Sequence, residues 1–331
     1  MEFLYEYGMF FAKTLTFVLA IAIIVALIAS AGQKPRRKGS IEVTDVSEQL
    51  KQTKEDFLAQ TLDKKELKKR QKEQKKQAPD KPQGKTFVIE FKGSLDAHEV
   101  AALREEVTVI LNLADKSQDQ VLLCLESGGG VVHGYGLAAS QLQRLKDAEI
   151  PLTIAIDKVA ASGGYMMACI ADKIVAAPFA IVGSIGVIAQ IPNFNKVLKK
   201  FDIDYEQITA GEYKRTLTLF GENTDKGREK FKQEIEQTHG LFKQFVATAR
   251  PKVDIDKVAT GEHWFAKQAF ELALVDELAT SDDLILRANQ TTQVFKVQYK
   301  MKKAIAEKLG LGLSMSLENA FLKVIERFRF Q

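Results

Sequence analysis

The chain has 331 residues, 46% of them hydrophobic, and is therefore long enough to fold as one large domain or two ordinary ones around a substantial core. Its formal net charge of +4 is small for this length and gives no support to a nucleic-acid-binding function. The two cysteines, Cys124 and Cys169, lie in apolar runs and are interpreted as buried hydrophobic residues, since no CxxC or HExxH spacing indicates a disulfide or metal site.

An almost wholly apolar run occupies residues 14–29, and residues 8–11 extend it beyond Lys13. With this extension the run reaches the roughly 20 residues that a helix needs to cross the hydrocarbon core of a bilayer. We therefore expect residues 1–31 to contain one transmembrane helix that anchors the protein in lipid. A cleaved secretory signal is the alternative, because residues 29–31 have the small-x-small form of a cleavage site.

Basic residues flank the apolar run unequally. Four of them follow it within residues 34–38, whereas Lys13 alone precedes it. Cytoplasmic flanks of membrane spans carry an excess of lysine and arginine, so this asymmetry places the following domain in the cytoplasm.

A charged segment poor in large apolar side chains covers residues 32–84. Its most basic part, residues 64–76, has helical propensity but little to bury, and Pro79 and Pro82 then close the segment. We expect a solvated arm, helical or disordered, between the anchor and the folded domain. Contact with anionic lipid headgroups is the alternative. Nucleic acid is not an expected partner, because the arm lacks interleaved aromatic residues.

Short apolar runs alternate with amphipathic stretches from residue 85 onward. Strand, helix and strand at this spacing imply parallel strands joined by crossover helices, and so predict an α/β layered fold. The predicted strands are Phe87–Phe91, Val121–Leu125, Leu152–Ile156, Ile174–Ala177, Ile185–Gln190 and Tyr205–Ile208, and the predicted helices are Glu99–Ala114, Tyr135–Leu145, Asn195–Lys200 and Asp225–Ala249.

The last segment, residues 281–331, contains two stretches that can form amphipathic helices with basic faces, Lys302–Leu313 and Glu318–Phe330. We expect these C-terminal helices to pack onto a neighbouring subunit. Contact with a membrane surface is the alternative.

The segment Ala161–Tyr165 places Ser162 and two glycines directly after one short apolar run and before another. A serine at such a junction can expose its hydroxyl at a helix N-terminus, where the following amides face developing negative charge. This is a nucleophile's position, although capping a helix is the commoner role of a serine there.

A nucleophilic serine needs a base that takes its hydroxyl proton. The four histidines show no Ser/His/Asp pattern, which leaves a spatial triad open, and a lysine with a lowered pKa is the other option.

Two glycine clusters lie at the ends of predicted strands, Gly128–Gly130 and Gly163–Gly164. Glycine lets backbone N–H groups approach a ligand oxygen closely, so the clusters together can form an oxyanion hole with two donors. Simple turns are the alternative for either cluster. A phosphate loop is not favoured, because neither cluster has the required spacing.

Four short motifs occur in order along the chain, Glu126–Val131, Ala161–Tyr165, Val182–Val187 and Gly211–Arg215. Together they resemble the signal peptide peptidase A family of membrane serine peptidases. The stretch Thr209–Thr224, with the N-terminal anchor and the charged arm, most resembles the SohB branch of that family. The match spans most of residues 85–280. The resemblance implies a serine peptidase catalytic domain there, with a core similar to the Clp protease and crotonase superfamily.

The resemblance also implies a role for individual residues. Ser162 matches the nucleophile, Lys214 the general base, and Ser184 a serine that hydrogen-bonds the lysine. Gly129 and Gly163 match the donors of the oxyanion-hole amides. The implied enzyme needs no cofactor or metal.

Partners and location follow from the same resemblance. Short members of the family form homo-oligomeric rings in which the serine and lysine of one site can come from neighbouring subunits. Such an interface excludes water and helps to keep a lysine neutral. Their expected substrates are polypeptides such as membrane-protein or signal-peptide remnants. They act at the outer face of the bacterial inner membrane, whereas the basic flank of this chain favours the cytoplasmic face, so the side stays open.

Two other functions share parts of this pattern. A crotonase-like acyl-CoA enzyme has the oxyanion glycines but needs neither Ser162 nor Lys214 nor an anchor. A non-catalytic membrane scaffold uses the ring and the charged arm alone. By itself, Lys214 is also compatible with an ordinary surface lysine and Ser184 with a simple turn.

Overall fold

The structure is a computed structural model that describes residues 7–21, 39–63, 65–67, 69 and 83–300. Residues 41–299 form one compact unit, and the described helix at residues 7–21 belongs to a second unit. The larger unit contains the catalytic motifs predicted from the sequence.

Two sheets organise the larger unit. The strands are β1 (Ser40–Asp45), β2 (Lys85–Lys92), β3 (Gln120–Glu126), β4 (Leu152–Ile156), β5 (Val159–Ala161), β6 (Lys173–Ala176), β7 (Ile181–Gly183), β8 (His263–Phe265), β9 (Glu277–Leu278) and β10 (Gln293–Lys300). The main sheet has the order β1-β10-β2-β3-β4-β6-β9, and its pairs from β10 to β9 are parallel. The second sheet has the order β5-β7-β8, with β5 and β7 parallel.

Side chains cap the first turns of several helices, as Thr224 does by accepting from the Gly227 N–H. The helices are α1 (residues 7–21), α2 (Val46–Thr61), α3 (Val100–Leu113), α4 (Val132–Asp147), α5 (Gly163–Ala168), α6 (Asn195–Lys200), α7 (Asp225–Ala249), α8 (Ile255–Val258), α9 (Ala266–Glu271) and α10 (Ser281–Thr291).

Helices cover both faces of the main sheet. On one face, Ile89 of β2 and Leu123 of β3 join a large core with residues of α3 and α4. On the other face, Val88 and Leu122 form a smaller core that packs against α10. Successive strand residues point to opposite faces, and both faces are buried, so these strands read as near-continuous apolar runs.

The mixed α/β fold with a large sheet is confirmed. The predicted strands up to residue 177 and the four predicted helices between residues 99 and 249 form, with ends shifted by a few residues at most. Two predicted strands are wrong. Ile185–Gln190 and Tyr205–Ile208 are irregular, and the side chain of Ile208 is 95% exposed. A short apolar run shows that a segment can pair as a strand, but not that a partner lies beside it.

The main sheet also takes strands from outside residues 85–280. β1 lies in the segment that we expected to be a charged arm, and β10 lies in the segment assigned to C-terminal helices. The Gln293 side chain donates to the Asp45 carboxylate at 2.8 Å, which joins these two segments. The predicted helices Lys302–Leu313 and Glu318–Phe330, and the arm's residues 70–82, lie outside the described residues.

The expected membrane anchor is described only in part. Residues 7–21 are helical, whereas residues 22–29 of the apolar run lie outside the described residues. Within the described ranges, no helix has the length and apolar character needed to span a membrane.

Two buried polar contacts hold the residues after α9 against the core. The Arg250 guanidinium donates to both carboxylate oxygens of Asp276, at 2.9 and 2.6 Å. The hydroxyl of Tyr165, which lies on α5, donates to the Leu274 carbonyl at 3.0 Å. These contacts give the short helix α5 a defined position in the fold.

Candidate active site

Ser162 lies at the sharp turn between β5 and α5. Its φ of 52° and ψ of −118° are unfavourable for a residue other than glycine. The Ser162 N–H donates to the Gly183 carbonyl at 2.8 Å, and its carbonyl accepts from the Met166 N–H at 3.0 Å, so the turn is fixed on both sides. The hydroxyl accepts no capping hydrogen bond from α5. Backbone strain of this kind concentrates at functional sites, and the free hydroxyl favours a nucleophile over a helix cap.

Ser184 occupies the equivalent position on the neighbouring strand. Ala161 of β5 and Gly183 of β7 are register partners, so Ser162 and Ser184 each follow the last paired residue of adjacent parallel strands. Ser184 also has a positive φ, 53°, and its N–H donates to the Glu262 carbonyl at 2.7 Å. The fold therefore brings these two predicted site residues together at the carboxyl ends of the strands.

Ser162 opens into a small cleft of about 70 Å³. Its lining is mostly apolar and is contributed by the glycine motifs, α4, α5, α7 and the irregular segment after β7. The residues are Gly130, Val132, Ser162, Gly163, Met166, Gly186, Val187, Ile188, Thr238 and Phe242. None of these lining residues is an acid, a lysine or a histidine, so the described cleft of one chain contains the Ser162 hydroxyl but no side chain able to act as its base.

Two backbone amides in the cleft lack a hydrogen-bond partner. Across the described part of the chain, the N–H groups of Gly130 and Gly163 donate to no acceptor. Both glycines line the cleft together with Ser162. Unpaired amides beside a nucleophile provide the donors that stabilise the oxyanion of acyl transfer.

Gly129, the other predicted donor, packs directly behind the nucleophile. Its N–H donates to Ser127 Oγ at 3.1 Å, and it is not among the residues that line the cleft. Its φ is +89°, and a Cβ added there would lie 2.7 Å from both Ser162 Cβ and the Gly163 nitrogen. Only glycine fits this position, whatever its role in the chemistry.

Lys214, the predicted base, lies apart from this arrangement. It is exposed, in a stretch from residue 201 to residue 224 without helix or strand, and its N–H donates to the Gly211 carbonyl at 3.2 Å. It does not line the cleft that contains Ser162. In the described part of a single chain, the predicted serine and lysine therefore do not share a cleft.

The histidines do not replace the lysine. His98, His133 and His263 are exposed, and none of the four histidines lines the described cleft. His239 is half-buried on α7, where its Nε2 donates to the Ile185 carbonyl at 3.2 Å. A carbonyl can only accept, so this ring nitrogen carries its proton. The described residues give no support to a Ser/His/Asp triad.

Several cleft residues escaped the sequence reasoning. Val187 lies within a motif and Met166 directly follows one, but the sequence assigned neither a role, whereas Thr238 and Phe242 lie on α7, far along the chain from Ser162. Helical periodicity predicts α7 but not which of its turns packs beside the serine.

A histidine paired with carboxylates lies in the loop after β2. His98 Nδ1 is 3.0 Å from Asp96 Oδ1, and its Nε2 is 3.3 Å from Glu99 Oε1. The hydrogen bond with Asp96, helped by the charge of Glu99, raises the pKa of His98. The hydrogen bond from His98, with a further one from Ser94, lowers the pKa of Asp96 to about 2.

His98 should stabilise the fold in a limited pH range. Its contribution is fully present below the ordinary pKa of 6.5 and is lost as pH rises through the raised value. The contribution of Asp96 is present above 3.8 and is lost as pH falls toward about 2. Because the pair is exposed, we expect His98→Gln to lower the melting temperature by only about 1–2 °C near pH 5.5 and by less near pH 9.

Thermal unfolding at these two pH values tests this expectation, with the exposed His133→Gln on α4 as control. Equal shifts for His98→Gln at both pH values would show that the pairing with Asp96 does not stabilise the fold.

Comparison with known proteins places the chain in a defined context. The model of Peptidase family S49 matches residues 144–295, and that of Peptidase family S49 N-terminal matches residues 2–142. The probable protease SohB of Haemophilus influenzae is 50% identical over 345 residues, which cover 99% of this chain and 96% of that protein.

The chain is also similar to a second SohB protein and to a solved protease structure. The probable protease SohB of Buchnera aphidicola subsp. Schizaphis graminum is 45% identical over 343 residues, covering 100% of this chain and 99% of that protein. A solved structure of the membrane-bound stomatin-specific protease 1510-N shares 13% sequence identity at a TM-score of 0.40, covering 62% of this chain and 84% of that chain.

Proposed function

Since the chain belongs to peptidase family S49 and is a serine-type peptidase of the SohB type, we propose that Ser162 and Lys214 form its catalytic pair. One observation carries the assignment of Ser162. Its strained turn exposes a hydroxyl that caps nothing, in a cleft with two unpaired amides. A nucleophile beside ready hydrogen-bond donors is the arrangement that acyl transfer requires.

The proposed reaction proceeds in two stages. Neutral Lys214 takes the hydroxyl proton of Ser162 as the Ser162 Oγ attacks the peptide carbonyl carbon. The resulting oxyanion accepts hydrogen bonds from the Gly163 amide and from an amide of the first glycine cluster, for which the sequence predicts Gly129. The C–N bond then breaks, and the lysine returns the proton to the leaving amine. Water hydrolyses the acyl-enzyme by the same route. Ser184 hydrogen-bonds the lysine and orients it.

A second copy of the chain supplies the lysine in this proposal. Lys214 must lose water to stay neutral, and it is exposed in the single chain. The segment that carries it also exposes large apolar side chains, including Phe201 at 67%, Ile203 at 53% and Ile208 at 95%. Exposed apolar surface of this extent is typical of protein interfaces. A homo-oligomeric ring would cover it and enclose Lys214 at a subunit boundary.

The substrates proposed are extended polypeptides with small apolar side chains near the cleaved bond, such as membrane-protein or signal-peptide remnants. The apolar lining of the small cleft, with Met166 and Phe242, supports this preference. We also propose that residues 1–31 anchor the peptidase in the bacterial inner membrane, which their apolar run supports. The parallel order β2-β3-β4-β6 supports a core of the Clp protease and crotonase type.

Reaction with a fluorophosphonate probe, which modifies activated serines, tests the proposal. We expect wild-type protein to be modified at Ser162, as located by peptide mass spectrometry, and Ser162→Ala to remain unmodified. Ser140→Ala, which changes an exposed serine on α4, is the matched control and should react like the wild type. Unchanged modification of Ser162→Ala would contradict the proposal. Hydrolysis of acyl-CoA thioesters without peptide hydrolysis would favour the crotonase-like alternative.

A further inference from the structure

A chain of hydrogen bonds runs from the Gly129 amide into the protein interior. The Gly129 N–H donates to Ser127 Oγ at 3.1 Å, Ser127 Oγ lies 2.5 Å from the Tyr135 hydroxyl, and that hydroxyl donates to the Ser94 carbonyl at 2.8 Å. Ser127 is 2% exposed and Tyr135 is fully buried. The mechanism proposed above uses neither of these hydroxyl groups.

The donor of each of these three hydrogen bonds can be assigned. The Ser94 carbonyl can only accept, so it takes the single hydroxyl hydrogen of Tyr135. Ser127 must then donate its own hydrogen to Tyr135 and accept from the Gly129 N–H. Burial raises the pKa of Tyr135, so its hydroxyl keeps the proton that this order requires.

Tyr135 also supports the second glycine cluster. A Cβ added to Gly163 would lie 2.4 Å from Tyr135 Cγ, so the ring packs directly against the backbone of Gly163. One buried side chain therefore contacts both motifs that line the cleft, one through its ring and the other through its hydroxyl and Ser127.

The bond to Ser127 decides which amide of the first cluster remains available. Because the Gly129 N–H donates to Ser127 Oγ two residues earlier, this turn leaves the next amide, that of Gly130, without an acceptor among the described residues. Gly130 lines the cleft, and Gly129 does not. A hydroxyl that binds the amide two residues on is a common way to hold a turn.

We propose that Tyr135 and Ser127 are positioning residues that hold the Gly130 and Gly163 amides where the oxyanion forms, an inference that rests on the proposed function. Neither side chain touches substrate. They act through the two glycines, and the Ser162 hydroxyl is not among their hydrogen-bond partners.

The expected effect is on the chemical step. Removing an oxyanion donor outright lowers kcat by about 10²- to 10³-fold, and loosening one should lower it by about tenfold. KM should change little, because the substrate's ground-state contacts are unaltered. The pH profile should keep its midpoint, because neither residue contacts Lys214.

The experiment compares full-length Tyr135→Phe, Ser127→Ala and the double variant, using the rate of Ser162 modification by the fluorophosphonate probe together with kcat and KM on a peptide. We expect each single variant to react about tenfold more slowly and the double variant to be no slower than the singles, since both substitutions break one hydrogen-bonded chain. Thr292→Val is the matched control, because it also removes a buried hydroxyl that donates to a backbone carbonyl, that of Ala288, and Thr292 directly precedes β10 and does not line the cleft. It should lower the melting temperature comparably and leave the modification rate unchanged.

Three results would overturn the inference alone. They are a wild-type rate in Tyr135→Phe, a loss of rate in Thr292→Val equal to that in Tyr135→Phe, and a double variant whose loss is the product of the two single losses. If wild-type protein were not modified at Ser162 at all, the proposed function would fail and this inference with it.

Discussion

Ser162→Ala and Lys214→Met should each abolish peptide hydrolysis, whereas the two variant chains expressed together should regain about a quarter of wild-type activity. Loss of a catalytic serine costs on the order of 10⁴-fold or more, and loss of a general base roughly 10²- to 10⁴-fold. The recovery depends on where the two residues meet. Lys214 does not line the cleft of its own chain, so we expect each site to form between neighbouring copies.

The mixture then contains intact sites. A chain with Lys214→Met still carries Ser162, its neighbour with Ser162→Ala still carries Lys214, and random assembly of equal amounts places them in the productive order at about one interface in four. The measurement is hydrolysis of a fluorogenic peptide by the purified mixture. Lys200→Met, a change at another exposed lysine, is the control and should keep wild-type activity. A mixture as inactive as its components would show that serine and lysine act within one chain.

Gly129→Ala should inactivate the enzyme and destabilise the fold, whereas Gly128→Ala should do neither. Alanine at 129 must adopt a φ of +89° and place its Cβ 2.7 Å from Ser162 Cβ. The backbone conformation alone costs about 1–2 kcal/mol. Relief of the overlap must move the nucleophile or the Gly163 amide, and a displacement near 1 Å can cost about 10²-fold in rate.

Gly128 is a close control because it is the neighbouring glycine of the same cluster, without the backbone and contact constraints of Gly129. It is exposed, it lies outside the positive-φ residues, and a Cβ there meets nothing within 4 Å. We expect its unfolding free energy to change by less than about 0.5 kcal/mol. Chemical denaturation and peptide hydrolysis of both variants provide the measurements. Wild-type activity in Gly129→Ala would show that the backbone there can retreat from Ser162 at no cost.

The sequence predicted the elements of this fold better than their contacts. The bounds of α7 match the prediction, Asp225–Ala249, because capping by Thr224 and a long amphipathic period mark it locally. The strand β3 was predicted because both of its faces are apolar. No local feature of the sequence, however, distinguishes such a run from Ile185–Gln190. This segment pairs with no strand among the described residues and includes part of the cleft wall.

For the site, too, the sequence indicated individual residues but not the contacts between distant segments. Ser162 and Ser184 stand out as serines beside glycines, and the register of β5 with β7 places them at adjacent strand ends. Ser127 also precedes glycines, but nothing in its sequence position indicates a bond to Tyr135, and a tyrosine on a helix is common. Their importance depends on a hydrogen-bonded path between segments that only the folded chain brings together.

The uncharged lining of the cleft has a consequence for control of proteolysis. Under the proposed mechanism, a newly made chain carries a complete nucleophile that nothing can deprotonate, so it is harmless to its surroundings until it meets another copy. Activity then rises more steeply than protein abundance, as expected for a species formed by mass action. Oligomerisation would thus control activity, as a removable propeptide does in other hydrolases, without any processing step.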